Sequence, residues 1–189
     1  MKKAVILHGT GGKPESNWFP WLKKELENKG YEVWVPFLPG NETPNRQVYN
    51  DFLLGEGWDF TDNLVIGHSS GSVSVLNLLE DPRCPKINTG VLVGAWYDTK
   101  NSPLTETDRF AKLFPPEGFN FELIKQKTNN LLFFHGDNDN HCPLEQAKYL
   151  AKQLDSEIII IPNGGHLFAA SGFTEFPQLI NTLEERKFL

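Results

Sequence analysis

A doubly wound α/β fold, with about six mostly parallel strands in a three-layer α/β/α sandwich, is the class this chain of 189 residues predicts. Three observations carry that expectation. Short apolar runs bounded by turn residues recur six times along the chain. Most are continuous in polarity rather than alternating, as strands covered on both faces are. Segments with helical spacing lie between them, and strand, helix, strand, helix is the rhythm of a doubly wound sheet.

The first run is AVILHG (4–9), and NWFPWLKKELENKG (17–30) after it places Trp18, Trp21, Leu22 and Leu26 on one helical side and stops at Gly30. YEVWVPFL (31–38) is the second run and NLVIG (63–67) the third. SGSVSVLNLLE follows directly and is apolar nearly all round, through Val73, Val75, Leu76, Leu78 and Leu79. It reads as a buried helix in the middle of the fold. GVLVGAW (90–96), LLFFHG (131–136) and EIIIIP (157–162) complete the strands. Between the last two, PLEQAKYLAKQL (143–154) lines up Leu144, Ala147, Leu150, Ala151 and Leu154 behind an opening Pro143 suited to a first turn. The longest interval between strands, 97–128, holds Pro115, Pro116, Phe110, Phe114, Phe119 and Phe121. A crossover helix accounts for part of it, and a small cap over the strand ends for the rest. The whole of 1–189 is read as one domain.

Composition narrows the function. With 39% hydrophobic and 22% charged residues the chain can bury a sizeable core, and a net charge of −6 advertises no basic surface for nucleic acid or an anionic bilayer. MKKAVILHGTGG has too few apolar residues before His8 for a signal-peptide core or a membrane span, so a cytoplasmic protein is expected. Cys84 and Cys142 are the only cysteines and lie in no CxxC or CxxH pattern, which points to neither a disulfide framework nor a redox site.

The chemistry is concentrated between the third run and the buried helix. Gly67-His68-Ser69-Ser70-Gly71 matches G-x-S-x-G with Ser69 in the middle. A sharp strand-to-helix turn brings two backbones together, so side chains two residues either side of the serine would collide, and the hydroxyl is pushed outward. It stands at a helix N-terminus, where free N–H groups and the dipole favour developing negative charge. A serine is inert at its own pKa, and needs a histidine to take its proton and a carboxylate to orient that histidine. HGDNDNHCP after the fifth run supplies Asp137 and Asp139, and GGHLF after the sixth supplies His166. Ser, Asp, His is the chain order, each at the C-terminal end of a strand, where such sheets place their sites. LHGTGG after the first run can aim the Thr10 amide at the same point as that of Ser70, forming an oxyanion hole. Its spacing fits no dinucleotide or P-loop pattern, so no cofactor is expected.

Other histidines have simpler readings. His8 and His135 precede glycines at strand ends and are expected to pack and hydrogen-bond, while His141 and Cys142 sit in the loop beside the acid. A metal set of His135, Asp137, Asp139 and His141 is conceivable, but the hydrolytic reading does not require it. For a pocket, the chain offers His68 beside the nucleophile, Trp18 close behind the glycine loop, and Phe110 and Phe114 in the long connection.

Taken in order, LHGTGG, NWFPWLKKELENKGYEVWVPFLP, VIGHSSGS, HGDNDNHCP and GGHLF resemble the small α/β-hydrolase-fold serine hydrolases grouped with retinoblastoma-binding protein 9, across nearly the whole chain. The resemblance implies a minimal form of that fold, beginning at what larger members count as their third strand. It also implies a triad of Ser69, Asp139 and His166: in the family pattern the acid precedes a proline by four positions, as Asp139 precedes Pro143. Asp137 is then a turn residue. The expected reaction is acyl transfer to water from a small ester, amide or thioester, without a metal. Because the family's namesake is described as a protein binder too, a protein-binding module with vestigial or secondary activity is the second reading.

Overall fold

The computed structural model of the chain describes residues 1–99 and 107–189. Part of the connection read as a cap, residues 100–106, lies outside the described residues. Within them the strands are β1 (Lys2–Leu7), β2 (Tyr31–Trp34), β3 (Leu64–His68), β4 (Ile87–Val93), β5 (Thr128–Gly136) and β6 (Glu157–Ile161). The helices are α1 (Phe19–Asn28), α2 (Arg46–Gly55), α3 (Ser70–Glu80), α4 (Phe121–Gln126), α5 (Leu144–Gln153) and α6 (Pro177–Glu185).

All strand pairs are parallel, in the order β2-β1-β3-β4-β5-β6. Successive side chains along a strand point to opposite faces, so each apolar run feeds two cores. Val5, Leu7, Val65, Leu92 and Phe133 pack with Tyr49 and Leu53 of α2, Leu76 and Leu79 of α3, Ile124 of α4 and Leu150 of α5. Ala4, Ile6, Ile66, Val91, Val93 and Phe134 pack on the other face with Phe19, Leu22 and Leu26 of α1 and Leu179 and Leu183 of α6. Burial on both faces is why these strands read as continuous apolar runs, and the result is the three-layer α/β fold expected.

Helix α3 is buried along almost its entire length, Ser70 to Leu79. Two of its polar side chains donate to main-chain carbonyls inside: the Ser74 hydroxyl to Ser70 O at 2.8 Å and Asn77 Nδ2 to Leu113 O at 2.8 Å. Chain order reverses direction at β1, which lies between β2 and β3. In an open parallel sheet, that switch point leaves a crevice at the strand C-terminal ends. No helix among the described residues is long and apolar enough to cross a membrane.

Candidate active site

Ser69 alone makes the turn between β3 and α3, with φ 56° and ψ −123°. A serine held in this left-handed region costs of order 1–3 kcal/mol and persists only where its surroundings over-determine it. Here they do. The Ser69 N–H donates to Val93 O at 2.8 Å, and Ser69 O accepts from both the N–H and the hydroxyl of Ser72, at 2.9 and 2.6 Å. The flanking glycines have the steric reason inferred from sequence. A Cβ on Gly67 would stand 2.2 Å from Gly71 O, and one on Gly71 would stand 2.3 Å from Leu7 O.

Pairing of Leu7 with Gly67 puts the loop after β1 beside this turn. A Cβ on Gly9 would meet Ser69 Cβ at 3.0 Å, so the glycine there makes room for the serine. The loop is held at several points. Gly11 N–H donates to Asn41 O at 3.2 Å, Gly12 N–H to Gly9 O at 3.0 Å, and Asn41 Nδ2 to Gly12 O. None of these bonds uses the Thr10 amide. The Thr10 hydroxyl donates to Ser70 Oγ at 2.9 Å, tying the loop to the first residue of α3. Ser70 heads that helix, so its amide has no acceptor within the helix. His8 is fully buried and structural: Nδ1–H donates to Gly9 O at 2.8 Å, while Nε2 accepts from Leu38 N–H at 2.9 Å. Burial lowers its pKa, in keeping with that neutral tautomer.

His166 starts two strands away from β4, in the loop after β6, and reaches the site because that loop folds inward across the ends of β5 and β4. Glycines at both crossings make this feasible. A Cβ on Gly136 would stand 2.1 Å from Gly165 O, and one on Gly94 would stand 3.2 Å from His166 Cε1. Side chains of the β5 loop pin the crossing from below: Asp137 Oδ1 accepts Asn163 N–H and Asn138 Oδ1 accepts Gly165 N–H, both at 2.7 Å. Asp137 is thus a turn residue engaged away from the imidazole.

The other aspartate meets it. His166 Nδ1 lies 2.7 Å from Asp139 Oδ2, and Asp139 Oδ1 accepts the amides of His141 at 2.7 Å and Cys142 at 3.0 Å. An ionised carboxylate only accepts, so the imidazole proton sits on Nδ1 and leaves Nε2 as a base. Burial would raise the Asp139 pKa, but the bond to His166, its charge and the two amides outweigh burial and hold the carboxyl below its ordinary value. His135 Nε2 approaches Oδ2 at 3.5 Å from the other side while donating to Cys142 O at 3.0 Å.

Ser69 and His166 face one cavity of about 460 Å³. Gly9, Thr10, Gly11, Gly12, Ser16 and Asn17 line it together with Trp96, Phe110, His141, Cys142 and Phe168. Arg109 stands at the rim and is tied to Glu42, donating from Nε to Glu42 O at 3.0 Å. Of the residues proposed from sequence for the pocket, His68 and Phe110 line this cavity. Phe114 lies a layer behind, edge-on to Trp96 at 4.9 Å. Trp18 is fully buried, with Nε1–H donating to Leu167 O at 2.9 Å, so it packs beneath the His166 loop rather than lining the pocket. Trp96, Arg109, Cys142 and Phe168 were not singled out as pocket residues. Trp96 had a signal, a tryptophan two residues after a glycine at a strand end; the others depend on how loops fold.

Asp139, Cys142 and His166 bring metal-ligand atoms within 4.8 Å of one another. Their donors are already engaged. Asp139 and His166 bond each other, and burial first, then the Asp139 charge, push the pKa of the Cys142 thiol well up, which keeps it protonated. His135 and Asp137, of the metal set considered from sequence, are committed to Cys142 O and Asn163 N–H.

The profile of a family described as serine hydrolase matches residues 4–185. YdeN of Bacillus subtilis (strain 168) is 25% identical over 183 residues, covering 96% of this chain and 94% of its own length. Serine hydrolase RBBP9 of Rattus norvegicus is 25% identical over 185 residues, covering 96% and 94%. The crystal structure of the ydeN gene product superposes with a TM-score of 0.86 over 98% of both chains at 23% identity. Est1E from Butyrivibrio proteoclasticus, at 18% identity, superposes with a TM-score of 0.65 over 87% of this chain and 79% of its own.

Proposed function

Since the chain belongs to the serine hydrolase family, as a small member of the RBBP9 and YdeN type, we propose that it cleaves a small carboxylic ester through an acyl-enzyme on Ser69. Amides and thioesters are the neighbouring substrates of the same chemistry. The observation that carries the reading is the 2.7 Å contact of His166 Nδ1 with Asp139 Oδ2, made at the edge of the cavity onto which the strained Ser69 turn opens.

His166 Nε2 takes the Ser69 proton as Oγ attacks the carbonyl, and Asp139 fixes the imidazole and stabilises its charged form. The amides of Thr10 and Ser70 receive the oxyanion, and the Thr10 hydroxyl bond to Ser70 Oγ holds the two donors in register. The imidazolium then returns its proton to the leaving alkoxide, and water repeats the sequence on the acyl-enzyme. A cavity of about 460 Å³ lined in part by Trp96, Phe110 and Phe168 suits a compact apolar acyl or alcohol group. The protein acts as a single unit in which part of the 97–128 connection, carrying Phe110, caps the strand ends.

The test is hydrolysis of a p-nitrophenyl ester series together with fluorophosphonate labelling. Wild-type protein is expected to turn over short esters and to label at Ser69, and Ser69→Ala to lose at least about 10⁴-fold in turnover. Retention of most activity by folded Ser69→Ala removes Ser69 from the mechanism. Folded wild-type protein that neither labels nor hydrolyses leaves the site to a non-catalytic role.

A further inference from the structure

Two consecutive carbonyls of the loop that carries His166 are each held by a buried ring N–H. His68 Nε2 lies 2.8 Å from His166 O, and Trp18 Nε1 lies 2.9 Å from Leu167 O. Because a carbonyl only accepts, the His68 proton sits on Nε2. The two rings also contact each other edge to face at 6.1 Å, and the His68 ring lies 4.8 Å from the ring of His166. His68 is the residue before Ser69, so the same turn that presents the nucleophile also grips the residue facing it. The loop needs gripping: Gly165 and Leu167 both have positive φ, 55° and 53°, and Leu167 gains nothing from that conformation by itself.

We propose that His68 and Trp18 are positioning residues that set the distance between His166 and Ser69 by holding the carbonyls of 166 and 167. The inference rests on His166 being the general base. His68 suits the task because its donor stays in place across the working pH range. Burial first, then the neighbouring His166, push its pKa down to about 3, against smaller opposing effects of its bond to His166 O and the Asp139 charge. Burial likewise lowers the pKa of His141, whose ring lies 4.7 Å from that of His166, while burial raises that of the Cys142 thiol close to His166 and lowers that of His135 on the far side of Asp139. His68 therefore never exchanges its Nε2–H donor role for a second charge beside the base.

His68→Phe keeps a ring of similar shape and removes the donor, while His68→Gln returns an N–H near the position of Nε2. A displacement of the base by about 1 Å is enough to lower turnover about 10²-fold. His68→Phe is expected to lose kcat on p-nitrophenyl acetate by one to two orders of magnitude on that scale, with KM little changed, and His68→Gln to recover most of the loss. Trp18→Phe is expected to show a smaller fall of the same kind. Crystal structures of the variants provide a readout independent of turnover: in His68→Phe the His166 ring should leave its 2.7 Å contact with Asp139. Unchanged kcat in folded His68→Phe, equal losses in the Phe and Gln variants, or a His166 ring that has not moved would each overturn the proposal. Wild-type turnover and Ser69→Ala, measured alongside, report separately on whether the site is a serine hydrolase at all.

Discussion

Gly94 is the gap into which the His166 ring fits: a Cβ at position 94 would stand 3.2 Å from His166 Cε1 and 3.8 Å from Asp139 Oδ2. The preceding residue, Val93, accepts the Ser69 N–H, so one dipeptide at the end of β4 touches nucleophile, base and acid. Gly94→Ala meets two penalties. Its φ of +63° costs a non-glycine residue about 1–2 kcal/mol, and the new methyl displaces the imidazole by a few tenths of an ångström. We expect a lower melting temperature and a roughly tenfold fall in kcat, short of the loss that a full 1 Å displacement brings. A folded variant with wild-type kcat on p-nitrophenyl acetate contradicts this.

The glycines of the Ser69 turn are a matter of folding before they are one of catalysis. At Gly67 and Gly71 an added Cβ would penetrate backbone atoms at 2.2 and 2.3 Å, and no rotamer change relieves a clash with main chain. Either Ala substitution is expected to cost more than about 4 kcal/mol, the range that marks a named structural failure. Gly55, the last residue of α2, has nothing within 4 Å of its would-be Cβ, and Gly55→Ala should stabilise by roughly 0.5–1 kcal/mol. Urea melts of the three variants test the ranking, and similar midpoints for all would refute it.

These glycines mark where the sequence was legible and where it was not. Gly67 and Gly71 flank the serine at a spacing that has a steric meaning by itself, so the turn could be read directly. Gly94 and Gly136 could not, because each makes room for a segment far away in the chain, His166 for one and Gly165 for the other. Strands were legible through their two-sided burial, with errors at the ends that have local causes. The second run reads as 31–38, yet β2 stops at Trp34: it is an edge strand, paired with β1, and Pro36 has no N–H to extend a ladder. The fourth run reads as 90–96, but positive φ at Gly94 ends β4 at Val93, and β4 begins earlier, where Ile87 and Thr89, separated by the polar Asn88, pair with Thr128 and Asn130. No helix was read at 46–55 or 177–185, where α2 and α6 lie. Asn45 was the signal missed for α2, since its side chain accepts the amides of Gln47 and Val48 as an N-cap, and Pro177 opens α6.

Three histidines buried neutral make stability depend on pH. Burial lowers the pKa of His8 and His135, and takes that of His68 to about 3. Each is protonated in the unfolded chain below an ordinary value of about 6.5 while the folded protein resists protonation, so unfolding takes up protons there. Their contribution is complete above that value and is lost as pH falls toward the folded values, each histidine adding up to about 1.4 kcal/mol per pH unit. Asp139, held below its ordinary value, adds a further loss only below about pH 4. Urea midpoints are expected to be flat from pH 7 to 8 and to fall steeply between pH 6.5 and 4.5. A midpoint unchanged across the acidic interval would mean that these rings are not held neutral.

The two aspartates of the β5 loop separate acid from turn residue. Asp139 accepts three bonds, from His166 and from the amides of His141 and Cys142, and an Asn there must turn an NH₂ either toward the His166 Nδ1–H or toward those amides. Turned toward the imidazole, it forces the proton to Nε2 and removes the base, which is the tautomer reversal that costs a serine triad about 10⁴-fold. Asp137 accepts the Asn163 amide through Oδ1 alone, and an Asn keeps an Oδ1 in that place. Asp139→Asn is therefore expected to lose about 10³ to 10⁴-fold in kcat with the fold intact, and Asp137→Asn less than about tenfold. Thermal melts of both variants confirm that the comparison is between folded proteins. The reverse order of kcat would transfer the role of the acid to Asp137, and equal, small losses would mean that the 2.7 Å contact of Asp139 with His166 does not orient the base.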